Sequence, residues 1–291
     1  MLDTPQVSVI CTCYNHENYV LDALNSIINQ SYPNIQLIIN DDFSTDNSVS
    51  VINEWLEANQ NIIFIKNSKN KGSTKTFNKA FEYVTGEYII DLAADDILLE
   101  NCIEEQIKAF ESSKYENLAI VYANIDLIDE NKNFISTYYQ TDEFPESGDI
   151  YKMIIGRTTK ICSVAAMIKK NIFESVGQYD ENLVYEDLDF WTRVSRNYSF
   201  QYIPLVLAKK RELPNSLTAN YFYKKNKLTH KLHCSTLKIY EKMLNLNTSK
   251  DEYRIMLNRV YSEMFVLLRA REFILFFKLL FIGLKAIMKS I

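Results

Sequence analysis

Apolar residues over the first 125 positions alternate between two rhythms. Short runs rich in β-branched residues are followed by stretches whose apolar residues lie three and four apart. Residues 7–14 form the first short run, and Val20, Leu24, Ile27 and Ile28 mark one helix face after it. Residues 36–40 are the second run, after which Asp46 can cap a helix carrying Val49, Ile52 and Trp55. Residues 62–66 read as a third strand, followed by a helix with Phe77, Ala80, Phe81 and Val84 that Gly86 is expected to stop. Residues 88–92 are the fourth strand, and a helix over 100–112 leads to a strand at 118–124.

Strands spaced by helices of this length need crossover connections, so the pattern predicts an α/β fold with a mainly parallel central sheet flanked by helices. Ligands of such sheets bind beyond the C-terminal strand ends. That rule singles out residues 12–15, 41–46, 67–71 and 93–96. Over 127–148 the pattern loosens into polar and aromatic residues, as in a hairpin or a loop able to fold over a ligand. A second block then reads as a strand at 163–168, a short helix at 171–176 ended by Gly177, a helix at 187–196 and a strand at 200–207. From about Asn226 the tail reads as helical throughout.

Composition narrows the classes. The 291 residues are 47% hydrophobic and 24% charged, an ordinary globular balance with room for one large α/β domain and an appendage. A net charge of −5 gives no general attraction to nucleic acid, and none is expected as a partner. Asp3 occupies the place of a positive leader segment, so no secretory signal is read. Five scattered cysteines do not make a disulfide framework. Cys11 and Cys13 alternate along an apolar run and read as buried thiols, which fits a cytoplasmic setting.

Three acidic clusters carry candidate chemistry. Asp95 and Asp96 follow the fourth strand, where adjacent carboxylates suit a hard divalent ion or cap the next helix. Asp41, Asp42 and Asp46 follow the second strand, where a carboxylate can take a base N–H or a ribose hydroxyl, or turn the chain into its helix. Asp187 opens a helix after Tyr185 and Glu186, positioned to take a proton from a hydroxyl or to favour the helix dipole.

These segments, in this order, resemble glycosyltransferase family 2. The opening strand with Thr12 and a terminal Tyr14-Asn15, the Asp41-Asp42-Phe43-Ser44-Thr45-Asp46 segment, Asn70 and Gly72, the Asp95-Asp96 pair, and Gly177 through Asp187 are similar to its motifs across roughly 5–215. The resemblance implies a GT-A fold (Rossmann-like) with a helical C-terminal extension, and inverting transfer from a nucleotide-diphosphate sugar, UDP foremost. Thr12, Tyr14, Asp42 and Asn70 would then hold the donor, with Asp42 on the base. Asp95, with Asp96, would bind Mn²⁺ or Mg²⁺, and Asp187 would be the catalytic base. Ala93 stands where the commonest form has a further aspartate. The implied layout is a catalytic domain over 1–222, donor half 1–125 and acceptor half 126–222, with helices over 223–291. A glycan or lipid-linked acceptor in surface-polysaccharide synthesis is expected. The alternative is a non-catalytic protein that keeps the fold and binds nucleotide sugar or glycan. A dinucleotide-dependent dehydrogenase is excluded, because Thr-Cys-Tyr-Asn-His replaces a glycine fingerprint after the first strand. A sugar nucleotidyltransferase would need a Gly-rich basic opening that the chain lacks.

Residues 273–288 are apolar but broken by Lys278 and Lys285, short of the ~20 residues of a spanning helix. Arg271, Lys278, Lys285 and Lys289 fall on one helix stripe, the pattern of a helix at the cytoplasmic face of a membrane, of one packed on the protein itself, or of a homodimer contact. Lys224, Lys225, Lys227, His230, Lys231 and His233 read as a solvated basic helix face, or as a contact for lipid phosphates or an acidic acceptor.

Overall fold

The computed structural model describes residues 4–140, 145–157, 160–214 and 226–291. The chain divides into two compact units: Met1–Gly148 with Ile161–Tyr179 and Ser199–Glu212, and Asp149–Lys160 with Asp180–Tyr198 and Leu213–Ile291.

The first unit opens as the periodicity predicts. Its elements are β1 (Val7–Cys13), α1 (Val20–Ile28), β2 (Ile35–Asp41), α2 (Ser48–Ala58), β3 (Ile63–Lys66), α3 (Ser73–Phe81) and β4 (Tyr88–Ala93). They are followed by β5 (Ile97–Leu98), α4 (Cys102–Glu111), β6 (Leu118–Ile128) and β7 (Phe134–Thr137). After α5 (Tyr151–Gly156), which belongs to the second unit, come a 3-10 turn at Ser163–Ala165, β8 (Ala166–Lys169), α6 (Lys170–Val176) and finally β9 (Ser199–Arg211). Among the described residues the strands form one sheet in the order β3-β2-β1-β4-β8-β6-β9-β5, with β7 beside β6. β1, β2, β3 and β4 pair in parallel, and β6 and β9 run the same way because both β4 and β6 are antiparallel to β8.

β1 is central and buried on both faces. Val7, Val9, Cys11 and Cys13 share one apolar cluster with Ala23, Leu24 and Ile27 of α1 and with Ile103 and Ile107 of α4. Burying a side chain such as Leu24 contributes about 1.5–3 kcal/mol. Burial also raises the two strand thiols, Cys13 to about 12, so they pack as small apolar groups, not nucleophiles. An aromatic cluster joins α3 to α6, with the Phe77 ring 4.3 Å from Tyr179 and 5.5 Å from Phe173.

Three local readings change. Gly86 does not end α3, which stops at Phe81. A Cβ there would sit 2.6 Å from the Gln6 carbonyl oxygen and 2.8 Å from the Ser8 nitrogen, so glycine is required for close backbone approach. Asp95 and Asp96 do not cap a helix: β5 intervenes, and α4 begins after Asn101. Residues 127–148 begin as the antiparallel β6–β7 hairpin, with Tyr139 buried; residues 141–144 lie outside the described chain.

The second unit is helical: α5, α7 (Asp187–Ser195), α8 (Lys227–Leu246), α9 (Lys250–Arg269) and α10 (Phe273–Ser290). Asn226 caps α8 by accepting the Thr229 N–H, and Ser249 with Glu252 forms a capping box on α9. Leu237, Tyr240 and Met243 of α8 pack with Met256 and Val260 of α9 and Leu279 of α10. Of the basic stretch, Lys224 and Lys225 lie outside the described residues, and Lys227 and Lys231 are exposed. His233 is buried with its ring 3.5 Å from Glu263, so this stretch is not wholly a solvated face.

Candidate active site

Chain order places β2 and β3 on one side of β1 and β4 on the other. The winding reverses between β1 and β4, which is where open sheets of this kind leave a crevice at their C-terminal ends. The backbone is stitched there: the Ala94 N–H donates to the Thr12 carbonyl (2.9 Å), and the Asp42 N–H to that of Cys13 (2.8 Å). Thr12 pairs in register with both Asn40 and Ala93, and Tyr14 follows with its ring exposed.

The loop after β1 is tied to the loop after β2. The Asn15 N–H donates to Ser44 Oγ (2.9 Å), and Asn15 Oδ1 accepts the Thr45 N–H (2.8 Å). The Glu17 N–H reaches Asp46 Oδ2 (3.0 Å), and Glu17 Oε2 accepts both N–H groups of Asn47 (2.8 and 2.7 Å). Asp41 is committed to this turn, accepting the N–H and the hydroxyl of Ser44. Asp46 takes the Ser48 N–H (2.9 Å) at the start of α2.

Asp42 is buried and works on the loop after β3. Its Oδ1 accepts the Asn67 side-chain amide (2.9 Å) and the Lys71 N–H (2.8 Å), and its Oδ2 accepts the Gly72 N–H (2.8 Å). A carboxylate offers roughly four acceptor positions, so three bonds leave one for a ligand donor. The clamp fixes the segment that carries Asn70, an exposed residue.

Asp95 and Asp96 have different surroundings. Asp96 is buried and accepts the Arg211 N–H on Oδ1 (2.9 Å); burial and the neighbouring Asp95 charge push its pKa well up. The Asp95 side chain is partly exposed, with His16 Nε2 3.8 Å from Oδ2, beyond hydrogen-bond reach. His16 Nδ1 is itself buried without a partner among the described residues.

Arg211, at the end of β9, anchors this corner. Its fully buried guanidinium donates to the carbonyls of Asp95 (3.0 Å), Asp129 (3.3 Å) and Glu130 (3.0 Å) and to the Asp22 carboxylate (3.1 Å). It also lies 4.6 Å from the Tyr19 ring centre.

Two further features escaped the sequence reading. Asn78 of α3 and Tyr179 exchange hydrogen bonds, side-chain amide to carbonyl (2.8 Å) and N–H to side-chain oxygen (3.2 Å). On β4, burial lifts the Asp91 carboxyl from 3.8 to about 7, with a hydrogen bond from Tyr179 opposing the rise. A raised folded-state pKa favours the protonated carboxyl, so this contribution to stability is complete below about 4 and is lost as pH climbs to 7. Asp91→Asn should therefore raise the unfolding temperature at pH 8 relative to the wild type, with the gap closing toward pH 4. Thermal unfolding of both proteins across that range checks it, and parallel curves would contradict it.

Asp187 belongs to the second unit. It opens α7 and accepts the Leu188 N–H (2.6 Å). Two residues on, buried Asp189 bonds Arg193 Nε (2.9 Å) and Lys242 Nζ (2.7 Å), and Lys242 also reaches Asp180 (2.7 Å). Burial would raise the Asp180 pKa, but the Lys242 ammonium and the Asn182 N–H groups outweigh it and hold the carboxyl at about 2.

The sequence profile of glycosyl transferase family 2 matches residues 8–177, more than half of the chain. The chain belongs to glycosyltransferase family 2. Among relatives of this family 2 chain, an uncharacterized glycosyltransferase of Methanocaldococcus jannaschii is 32% identical over 218 residues, covering 74% of this chain and 73% of that protein. The poly-β-1,6-N-acetyl-D-glucosamine synthase of Staphylococcus epidermidis is 27% identical over 69% of this chain, which spans 48% of the synthase. Two solved structures share the fold of this glycosyltransferase. S. aureus TarS 1-349 in complex with UDP-GlcNAc has a TM-score of 0.68 at 17% identity, covering 88% of this chain and 73% of that one. A mannosyltransferase from Pyrobaculum calidifontis in complex with GDP-Man and Mn²⁺ has a TM-score of 0.65 at 15% identity, covering 97% and 74%. The GT-A expectation and the helical C-terminal extension are therefore met.

Proposed function

We propose that this glycosyltransferase moves a sugar from a UDP-sugar, with inversion, to a hydroxyl of a glycan or lipid-linked acceptor in surface-polysaccharide synthesis. One observation carries the reading: at the β1–β4 crevice the partly exposed Asp95 carboxylate makes no hydrogen bond among the described residues, with His16 Nε2 3.8 Å away, while Asp41, Asp42 and Asp96 are engaged by the protein. An open carboxylate at the strand ends is a polar surface that a hydrated cation and a diphosphate would complete. Carboxylate oxygens, completed by water and the donor's phosphates, are the ligand type a hard divalent ion takes. Asp95, with Asp96 beside it, would hold Mn²⁺ or Mg²⁺, which when bound supplies Lewis-acid neutralisation of the diphosphate leaving group.

The chain's own groups supply the rest. Thr12, Tyr14 and Asn70 line the strand ends where the donor binds, and the remaining acceptor position of Asp42 takes a base N–H. Arg211 holds the backbone of Asp95 and the side chain of Asp96, so the acid pair does not reorganise as charge develops. Asp187 takes the proton of the acceptor hydroxyl. The bound nucleotide of TarS and the polysaccharide product of the S. epidermidis synthase support the donor and pathway class.

Equilibrium binding of UDP tests the site. UDP affinity should rise at least about tenfold when Mn²⁺ is added, the ~1.4 kcal/mol or more expected of one charge-assisted contact, and Asp95→Ala should remove that gain. Equal binding with and without the metal would count against this assignment of Asp95.

A further inference from the structure

The outer face of α10 is unusual for a helix in water. Phe273, Ile274, Phe277, Phe281, Leu284 and Met288 are all 49–74% exposed, while Leu275, Leu279, Ile282 and Ala286 on the opposite face are buried in the second unit's own core. At 3.6 residues per turn the exposed set spans a sector of about 100°, and Lys278, Lys285 and Lys289 occupy the next ~40° on one side. α10 carries no acidic residue. Between α8 and α10 lies an open cleft of about 560 Å³, with Leu237, Leu275 and Ile282 on its apolar floor. Three lysines, Lys238, Lys278 and Lys285, line it together with a single acid, Glu241. Lys285 also places its ammonium 4.5 Å from the Phe281 ring centre, so charge and apolar face meet at one edge.

We infer that α10 docks this protein on an anionic lipid surface. Its phenylalanines enter the acyl boundary, its lysine row contacts headgroup phosphates, and the α8–α10 cleft receives one of them. No described helix is long and apolar enough to cross a membrane, so the helix lies in the interface plane. A second copy meeting the same face would bring two like-charged lysine rows together with no acid on the helix to offset them, whereas a phosphate surface is complementary to both the row and the cleft. This inference goes beyond sugar transfer, because docking requires neither donor nor metal.

Sedimentation of the full chain with vesicles tests it independently of any transfer assay. Vesicles of phosphatidylcholine containing phosphatidylglycerol should carry the protein down, and pure phosphatidylcholine should not. Raising salt should release it. Lys278→Glu with Lys285→Glu should weaken binding about tenfold or more, on the roughly 1 kcal/mol each basic residue contributes at such a surface. Phe277→Ser with Phe281→Ser should also abolish it; all four positions are exposed, and unchanged circular dichroism would confirm folding. Absence of binding to anionic vesicles at low salt overturns the inference. So does vesicle affinity that the charge reversals leave unchanged, or a dimer in sedimentation velocity that the phenylalanine changes dissolve while the vesicles stay bare.

Discussion

Asp187→Asn is expected to slow sugar transfer by about a hundredfold to ten-thousandfold, the range over which general bases act, with UDP affinity unchanged. Asparagine keeps the shape of the side chain and an oxygen able to accept the Leu188 N–H, so the first turn of α7 stays closed. The ion pairs beneath it, Asp189 with Arg193 and Lys242, do not involve Asp187 and keep the helix in place. On the proposed mechanism, what is lost is the ability to accept a proton from the acceptor hydroxyl as it attacks. The substitution should therefore lower kcat and spare the donor KM. Steady-state transfer with saturating donor, beside a UDP titration, separates the two. A variant with wild-type kcat would remove Asp187 from the mechanism.

Arg211→Ala should lower stability by about 3–5 kcal/mol, the usual result of removing one partner from a buried charged network. Three carbonyls and the Asp22 carboxylate lose their donor at once, and the Tyr19 ring loses the cation over its face. Arg211→Lys keeps the charge but not the planar fork of donors, so it should recover only part of the loss. Both variants should also weaken metal-dependent UDP binding, because the Asp95–Asp96 backbone is no longer held. Denaturant unfolding of both variants gives the first quantity. A loss below about 1 kcal/mol, the level of a surface ion pair, would show that the network does not anchor the site.

The parallel half of the sheet was legible because its signals are local. β1 to β4 alternate with helices whose apolar faces repeat at 3.6, and the acids and amides at their ends stand within a few residues of each strand. β5, two residues long, has no room for a period, and without it the Asp95–Asp96 pair read equally well as a helix cap. Helix α5 is six residues long and equally short of a pattern. Arg211 was invisible for another reason. The hydrogen-bond partners of its side chain lie from 81 to 189 positions away, and nothing near it in sequence distinguishes it from Lys209 and Lys210. The same holds for Asn78 with Tyr179, 101 positions apart, and for Lys242 beneath α7. Asp42 stands out in the sequence as an acid after β2, but the loop contacts that occupy three of its acceptor positions are visible only once β2 and β3 lie side by side.

The most direct test is release of nucleoside diphosphate from a panel of UDP-, GDP- and dTDP-sugars, with and without Mn²⁺, by the wild type and by Asp95→Ala. Release from a UDP-sugar that depends on the metal and disappears in Asp95→Ala is the expected result. Release that ignores both the metal and the substitution, or a wild-type protein that binds none of the nucleotides offered, would contradict a sugar-transfer site built on Asp95.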